Sequence, residues 1–356
     1  CDLQAALRGY SRPMVHLRIV APARLAGRAV EVLEATPSVC NLVVLQAAAR
    51  RPAGDVILCD VPKEEASVVI ADLRDLGVHR EGSIAVEMID TQVSAYASEA
   101  EEKAKGSPSD AVIWEEVEAR TSESASLSAS FLAFMILAAL IAAVGIYLDS
   151  PILIVGAMVV GPEFGPIAGV CVAIVQPPRS LALRSFVALA VGLSVAIAAV
   201  VVASVAFKAT GVAPQQFTQA DHSLSQIIAS PDFFSFFVAL CAGAAGILSL
   251  STAKSGALIG VLISVTTIPA AANVGVASAY GDWPAFRGSL TQLGLNVVAI
   301  LLSGTLTLAL QRALYERRRR RHLREDSLPR RRFGVRALRP EHAPPAPPPE
   351  EHAARR

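Results

Sequence analysis

Residues 151–169 read PILIVGAMVVGPEFGPIAG, an apolar run interrupted near its centre by two Gly-Pro pairs. The run is long enough to cross the hydrocarbon core of a membrane, which takes about 20 residues of helix. Proline removes a backbone N–H and clashes with the preceding turn, so Gly161–Gly169 is not expected to continue as an unbroken helix. Backbone groups freed inside a membrane are tolerated only where protein or a water-filled cavity satisfies them. The stretch therefore predicts a broken membrane span that lines an interior site.

Five further stretches have the length and apolar character of membrane spans. The six predicted spans are Ser128–Leu148, Pro151–Val175, Leu183–Phe207, Phe233–Leu250, Ser255–Tyr280 and Leu290–Leu310. The chain is 53% hydrophobic with a mean hydropathy of +0.48, which is more apolar than is usual for a soluble protein. Buried helices of a large soluble protein are the alternative, but six such stretches with so few charges are rare outside lipid. We predict an α-helical integral membrane domain over residues 127–314.

Lysine and arginine near the span ends predict the orientation in the membrane. With the N-terminus in the cytoplasm, the basic residues of the inner loops are Arg179, Arg184 and Lys254. Lys208 and Arg287 then lie on outer loops and are exceptions. The arginine run that follows the sixth span, Arg317–Arg321, also falls inside. The balance predicts a multi-pass protein of the cytoplasmic membrane with both termini inside. We interpret the run as a topology anchor that touches anionic lipid headgroups rather than as a nucleic-acid site.

The membrane domain contains an internal repeat. The sequence pattern around three glycines, Gly145, Gly156 and Gly192, recurs around Gly246, Gly260 and Gly294, at offsets of 101 to 104 residues. Three matches in the same order indicate a duplication, with repeats at 127–207 and 233–312. Because each half has three spans, the second half must enter the membrane in the opposite orientation. Such inverted repeats are common in secondary transporters, although channels and some membrane enzymes also have them.

The middle spans of the two halves carry the candidate site. On the repeat alignment Gly165 lies opposite Pro269 and Gly169 lies opposite Asn273. Interruptions at corresponding positions of two halves point to a binding site. The predicted substrate-binding residues are Gly161, Pro162, Glu163, Gly165, Pro166, Thr266, Thr267, Pro269, Asn273 and Asn296. No catalytic residue, metal or cofactor is predicted.

Glu163 is an acidic residue deep within a predicted span, where a charge costs at least ~2.5 kcal/mol. The functional interpretation is a ligand for a solute or ion, or a proton carrier. The structural alternative is a cap that accepts backbone N–H groups at the broken helix. The threonine and asparagine residues of the site are its candidate polar partners, although each alone is more often a helix–helix hydrogen bond than a ligand contact.

The first 126 residues have the composition of a soluble domain followed by a linker. The predicted elements are a strand at Met14–Val20, a helix at Ala23–Ala35, strands at Cys40–Ala47 and Asp55–Val61, a helix at Lys63–Leu76 and a strand at Ser83–Ile89. The order βαββαβ predicts an α+β ferredoxin-like domain at 13–90. Residues 91–126 are expected to form amphipathic linker helices, one of them at Ala111–Ala119. The Arg- and Pro-rich tail, 323–356, is expected to be disordered.

The five cysteines show no metal-binding spacing. We interpret them as free thiols, because the soluble domain is expected to face a reducing compartment. A disulfide between Cys40 and Cys59 is the less favoured alternative. His16 and His79 are interpreted as ordinary surface or strand residues.

Three stretches of this sequence resemble a known family. Trp114–Ser128, Ala138–Gly145 and above all Val155–Ile167 are similar to the bacterial and archaeal hydrophobic membrane family catalogued as domain of unknown function 389. The resemblance covers roughly Val112–Leu310, and it implies a membrane location. The chain departs from the family pattern at Glu163, where an apolar residue is expected, so the resemblance does not mark Glu163 as a shared functional group.

The leading functional hypothesis is a membrane transporter, or a transporter-like binding protein, for a small polar solute that binds at the paired breaks. The cytoplasmic domain would regulate it, and a homodimer is the expected assembly. The alternative is a membrane-anchored metabolite sensor that binds its ligand in the N-terminal domain. An enzyme is not expected, because the sequence shows no nucleophile–base pair, metal cluster or phosphate loop.

Overall fold

The protein is mostly helical, with one small sheet near its N-terminus. The computed structural model describes residues 14–89, 94–104, 114–176, 179–217, 222–252 and 267–330. The N-terminal elements are β1 (Met14–Ala21), α1 (Ala23–Glu34), β2 (Cys40–Arg50), β3 (Ala53–Pro62), α2 (Lys63–Asp75), α3 (Val78–Glu81), β4 (Ser83–Ile89) and α4 (Ala95–Lys103). All six predicted strands and helices are found, and the short helix α3 is an addition.

The four strands form an antiparallel sheet in the order β2-β3-β1-β4. Alternate residues of the central strand β1, Val15, Leu17 and Ile19, are fully buried in a core that also contains Ala29 and Leu33 of α1. This two-residue period is the expected pattern for a sheet with a helix layer on one face. The alternation in the sequence therefore predicted both that β1 is a strand and which of its side chains face the core.

The cysteines that the structure describes are free thiols, as predicted. Burial raises the pKa of the Cys59 thiol to about 12 and that of Cys40 to about 11. Both thiols are therefore protonated and poorly reactive at neutral pH. Cys1 lies outside the described residues.

The helices of the membrane domain follow. They are α5 (Trp114–Ser124), α6 (Ala129–Tyr147), α7 (Pro151–Val160), α8 (Phe164–Val175), α9 (Arg179–Ala209), α10 (Ser223–Ile228), α11 (Phe233–Thr252), α12 (Thr267–Tyr280) and α13 (Trp283–Arg330). Four of these, α6, α9, α11 and α13, are long and apolar enough to cross a membrane singly. The pair α7 and α8 qualifies as a fifth span, bent by 50° at its break. Several apolar helices thus make this a membrane protein.

The predicted number of six spans is not settled by these helices. The fifth predicted span, Ser255–Tyr280, lies partly in 253–266, outside the described residues, and α12 covers only its second part. Two other boundaries differ from the prediction. Helix α5 begins at Trp114 and continues to Ser124, beyond the predicted end at Ala119. Helix α13 continues to Arg330, so residues 323–330 of the predicted disordered tail are helical, and residues from Ala313 onward form a separate unit.

The third long helix of each predicted half packs against the middle helix of the other half. In one contact, the Cys171 thiol of α8 lies 3.7 Å from the carbonyl oxygen of Leu301 in α13. Gly304, one turn further along α13, lies against the same thiol. In the other contact, Gly275 of α12 lies against Val200 and the carbonyl of Ile197, both in α9.

These two contacts are equivalent in sequence. Shifting Cys171, Ile197 and Val200 by 104 positions gives Gly275, Leu301 and Gly304, and 104 is also the separation of the bonded pair Glu163 and Thr267. In each contact a small residue faces a larger one, so the helices approach closely. These separations equal 104, the largest of the offsets of 101 to 104 residues predicted for the repeat.

The close approach of α9 and α12 gives a stability prediction. A Cβ atom on Gly275 would lie 2.7 Å from Val200, closer than side chains pack. We expect Gly275→Ala to destabilise the protein by about 1–3 kcal/mol, the usual cost of overpacking. Thermal unfolding of detergent-purified protein measures this. Gly294→Ala is the matched control, because a Cβ there meets no atom within 4 Å. Equal melting temperatures for the two variants would contradict the predicted effect.

Candidate functional site

The predicted break is found between α7 and α8. Helix α7 ends at Val160, Gly161 has extended backbone (φ −68°, ψ 128°), and Glu163 is the residue immediately before α8. The second Gly-Pro pair, Gly165 and Pro166, does not interrupt a helix, contrary to the prediction. Pro166 is the third residue of α8, where a backbone N–H has no partner within the helix, so its missing N–H costs nothing there.

Glu163 links the two halves of the membrane domain. Its side chain is 1% exposed, and its Oε1 accepts a hydrogen bond from the Thr267 hydroxyl at 2.8 Å. Oε2 has no hydrogen-bond partner in the described structure. It lies against Gly161, so it is beside the break. Glu163 makes no side-chain capping hydrogen bond at the start of α8, so the capping interpretation is wrong. What remains is a buried carboxyl group held by one hydroxyl.

Gly161 has a steric reason to be glycine. A Cβ atom there would collide with Glu163 Oε2 and with the side chain of Ile268 in α12. The missing side chain allows the carboxyl group and the start of α12 to reach the break together. The interruption in the first half and the first residues of α12 therefore meet at one place.

The other predicted residues of the second half are placed differently. Thr266 lies outside the described residues. Pro269 is the third residue of α12 as described, and the helix continues through it to Tyr280, so Pro269 does not break the helix. An interruption in the second half, if present, precedes Thr267 and stays a prediction.

Asn273 and Asn296 belong to separate polar contacts. Fully buried Asn273 accepts a hydrogen bond from the Ser225 hydroxyl at 2.9 Å and donates one to the Ser289 hydroxyl at 2.8 Å. These bonds join α12 to α10 and α13. Asn296 accepts a bond from Gln292 one turn earlier in α13, at 3.0 Å. Asn273 is thus a helix-packing residue, and no described contact brings either asparagine to Glu163.

A cavity of about 350 Å³ lies beside the break. Gly161, Pro162, Phe164, Gly165 and Ala168 form one wall. The end of α5, the turn after it and the start of α6 form a second wall with Leu250 of α11, and the two walls meet where Ser124 lies against Gly165. The lining residues of this second wall are Thr121, Glu123, Ser124, Ser126, Ser128 and Phe131. Its volume is in the range of small-molecule binding sites.

The hydroxyl-rich wall was missed in the sequence analysis. Residues 121–128 read TSESASLS, a run of hydroxyl side chains directly before the first predicted span. Ser128 has a second role as the N-cap of α6, because its hydroxyl accepts the N–H of Phe131 at 3.1 Å. A polar run between an amphipathic helix and a span was the available signal, but only the fold shows that it faces Gly161 and Pro162.

An aromatic cluster closes the opposite end of α6, which spans 19 residues or about 28 Å. The Tyr147 ring centroid lies 6.4 Å from Phe207, 5.5 Å from Phe217 and 6.3 Å from Tyr280. The His222 ring stacks on Phe217 at 4.1 Å. These rings join the ends of α6, α9 and α12, and we call them the aromatic cluster.

Asp149 holds the same end together in the turn between α6 and α7. One carboxylate oxygen accepts the Ser223 hydroxyl at 2.6 Å and the other accepts the Leu224 N–H at 2.8 Å. The Ser223 hydroxyl bond, followed by the backbone bond from Leu224, holds the pKa of Asp149 below its usual range. The contact ties the turn to α10 beside the aromatic cluster.

The hydrogen bond between Glu163 and Thr267 can be tested through stability. Thr267→Val keeps the side-chain shape but leaves both oxygens of a buried carboxyl group without a donor. We expect a loss of about 1–3 kcal/mol, the cost of an unsatisfied buried polar group. The fraction of protein that survives heating in detergent, measured by gel filtration, reports the loss. The control is Thr307→Val, which removes only a bond to the Ser303 carbonyl within α13. If both variants lose the same stability, the bond to Glu163 has no special role.

Comparison with known proteins supports the resemblance seen in the sequence. Residues 158–302 match the model of a family described as a domain of unknown function, DUF389. The chain is 30% identical over 203 residues to the uncharacterized protein MJ0678 of Methanocaldococcus jannaschii, a match that covers 57% of this chain. The chain spans 60% of the length of that relative. No solved structure matches the chain significantly.

The family match includes Glu163 and Thr267 but not the hydroxyl-rich wall at 121–128. The break and the contact between the halves thus lie within the matched region, and part of the cavity lies outside it. The predicted resemblance is confirmed, since residues 158–302 of this chain match the DUF389 family model.

Proposed function

We propose that the protein is a membrane transporter, or a transporter-like binding protein, for a small polar solute. The observation that carries the proposal is the cavity that ends at a broken helix beside the buried Glu163 carboxyl group. Helix α7 is ten residues long, so Gly161 lies about 15 Å from Pro151, half the thickness of a hydrocarbon core. A cavity at this depth would give a solute access to the middle of the membrane.

The proposal includes two inverted three-span repeats with six spans in all. Support comes from contacts that recur at the 104-residue offset. The rings of Tyr147 and Phe207 meet at the far ends of α6 and α9. The residues 104 positions later, Ser251 near the end of α11 and Gln311 within α13, are joined by a hydrogen bond of 2.9 Å. Glu163 and Thr267 are themselves counterparts, so their bond crosses the axis that would relate the halves.

A difference between the two ends of α6 supports alternating access as part of the proposal. The cavity opens beside the exposed residues Ser124 and Ser126, whereas the aromatic cluster packs together at the other end of α6. With both termini in the cytoplasm, this is an inward-open state. If each half adopted the conformation that the other half has here, the aromatic cluster would open and the cavity would close. This is the general scheme for transporters with inverted repeats.

The remaining parts of the proposal concern the soluble domain and the surroundings. The order β2-β3-β1-β4 with two crossover helices supports a ferredoxin-like domain, to which we assign a regulatory role. The exposed edge strand β2, with Val43, Val44 and Leu45 outward, supports a homodimer. The arginine run is placed against anionic headgroups of the cytoplasmic membrane. No catalytic role is assigned.

The orientation is tested by labelling from each side. In a variant whose five cysteines are replaced by alanine, we place single cysteines at Ser126 and Val212. Both positions are exposed, and they lie at the cavity end and the aromatic end, respectively. A membrane-impermeant maleimide should label Ser126→Cys only in inside-out vesicles and Val212→Cys only in right-side-out vesicles. The reverse pattern would show that the N-terminus is outside.

The transport function is tested by efflux from proteoliposomes. The vesicles are loaded with a defined mixture of amines, amino acids, polyols and carboxylates, and released compounds are quantified by mass spectrometry. We expect protein-dependent release of at least one compound. Glu163→Gln should slow it about tenfold, equivalent to the ~1.4 kcal/mol of one lost polar contact. The amide still accepts the Thr267 hydroxyl, so the fold is preserved.

Glu118→Gln is the control for this experiment, because Glu118 lies on α5 but does not line the cavity. Release equal to that of protein-free vesicles, with all compounds, would refute transport. A compound that raises the melting temperature equally in the wild type and in Glu163→Gln, with no release, would instead favour a sensor with its site elsewhere.

A further inference from the structure

We propose that the cavity binds a small organic cation, a solute whose recognised group is a protonated amine or a quaternary ammonium. The inference rests on the proposed function, since it names the class of solute for the same cavity. Four features support it. They are the acidic side chain in the lining, the buried carboxyl group behind Gly161, the aromatic side chains, and the helix N-termini at which N–H groups already have hydrogen-bond partners.

The ionisable part of the lining is acidic. Among the described residues that line the cavity, Glu123 is the only ionisable side chain. The buried carboxyl group of Glu163 lies behind the lining, since its Oε2 lies against Gly161, which is itself a lining residue. That oxygen is buried and has no hydrogen-bond partner in the described structure. An unsatisfied buried acceptor beside a cavity favours a ligand that carries a donor or a positive charge.

The apolar part of the lining suits a cation with a hydrocarbon body. Phe131 of α6 and Phe164 of α8, each 6% exposed, both line the cavity, and aromatic rings attract ammonium groups through their negative faces. Hydroxyl oxygens accept hydrogen bonds from an amine, and the wall offers them at Thr121, Ser124 and Ser126. A neutral polyol could bond to the hydroxyls and to the carboxylate, but it lacks the positive charge that the carboxylate and the aromatic faces attract.

Helix N-termini are the feature that would favour an anion, and they are weaker here. Helices α6 and α8 both begin at the cavity, and each N-terminus carries about half a positive charge. However, Ser128 already caps α6, and the Gly165 N–H already donates to the Pro162 carbonyl at 3.2 Å. Pro166 has no N–H to offer. The carboxylate of Glu123 in the lining therefore outweighs the partial charges that remain.

The test compares choline with 3,3-dimethylbutan-1-ol, which has the same shape but no charge. Binding to the full-length protein in detergent is measured by isothermal titration calorimetry at low ionic strength. We expect choline to bind about tenfold more tightly than the alcohol, a difference within the range of desolvated cation–π and charge contacts. Glu123→Gln and Phe131→Leu should each weaken choline binding severalfold, with little change for the alcohol. Glu118→Gln is the control on the same helix.

The outcomes distinguish the choice of a cation as solute from the transport function itself. Equal binding of choline and the alcohol, or equal losses in Glu123→Gln and Glu118→Gln, would overturn the cation inference. If neither probe binds but the efflux assay releases a neutral or anionic compound in a Glu163-dependent manner, the solute class is wrong and transport stands. If neither probe binds and no compound is released, both proposals fail.

Discussion

A helix that crosses a membrane cannot leave backbone groups unpaired against lipid, and this constraint organises the protein around Gly161 and Pro162. Because α7 stops there, α8 restarts with Glu163 just before its first turn. The freed backbone must face protein or a polar cavity, and the structure provides both. The first residues of α12 pack on one side, and the hydroxyl-rich wall lies across a cavity on the other. The packing of α12 at Gly161 and the cavity beside it therefore both depend on the break.

Features that depend on local chemistry could be predicted from the sequence. The two-residue period of β1 and the lengths of the apolar stretches identify strands and spans without knowledge of their partners. The first Gly-Pro pair identifies the break. The second pair misled the prediction, since proline is tolerated in the first turn of a helix and Pro166 occupies that turn. Pro269 also lies within a helix, because α12 runs through it to Tyr280 in the described residues.

Features that depend on contacts between distant segments could not be predicted. Nothing in the residues 121–128 indicates that they face a break some forty residues later, and Asn273 gives no sign that its partners are Ser225 and Ser289. The repeat was the one long-range signal in the sequence. It related Gly156 to Gly260, the offset that the contacts support, but the pairing of α8 with α13 and of α12 with α9 required the structure.

The crossed pairing of the halves has a consequence for biosynthesis. The carbonyl oxygen that Cys171 contacts belongs to Leu301, 130 residues later in the chain, and the carbonyl oxygen of Val175 receives a hydrogen bond from Arg312, 137 residues later. As the ribosome delivers spans in order, the first half inserts with one side of α8 uncovered by its final neighbour. That surface stays in contact with lipid, or with the insertion machinery, until the last span arrives. The α8 surface therefore gains these contacts only when α13 is in place, and a chain truncated before α13 would keep the packing of α12 on α9 but would lack them.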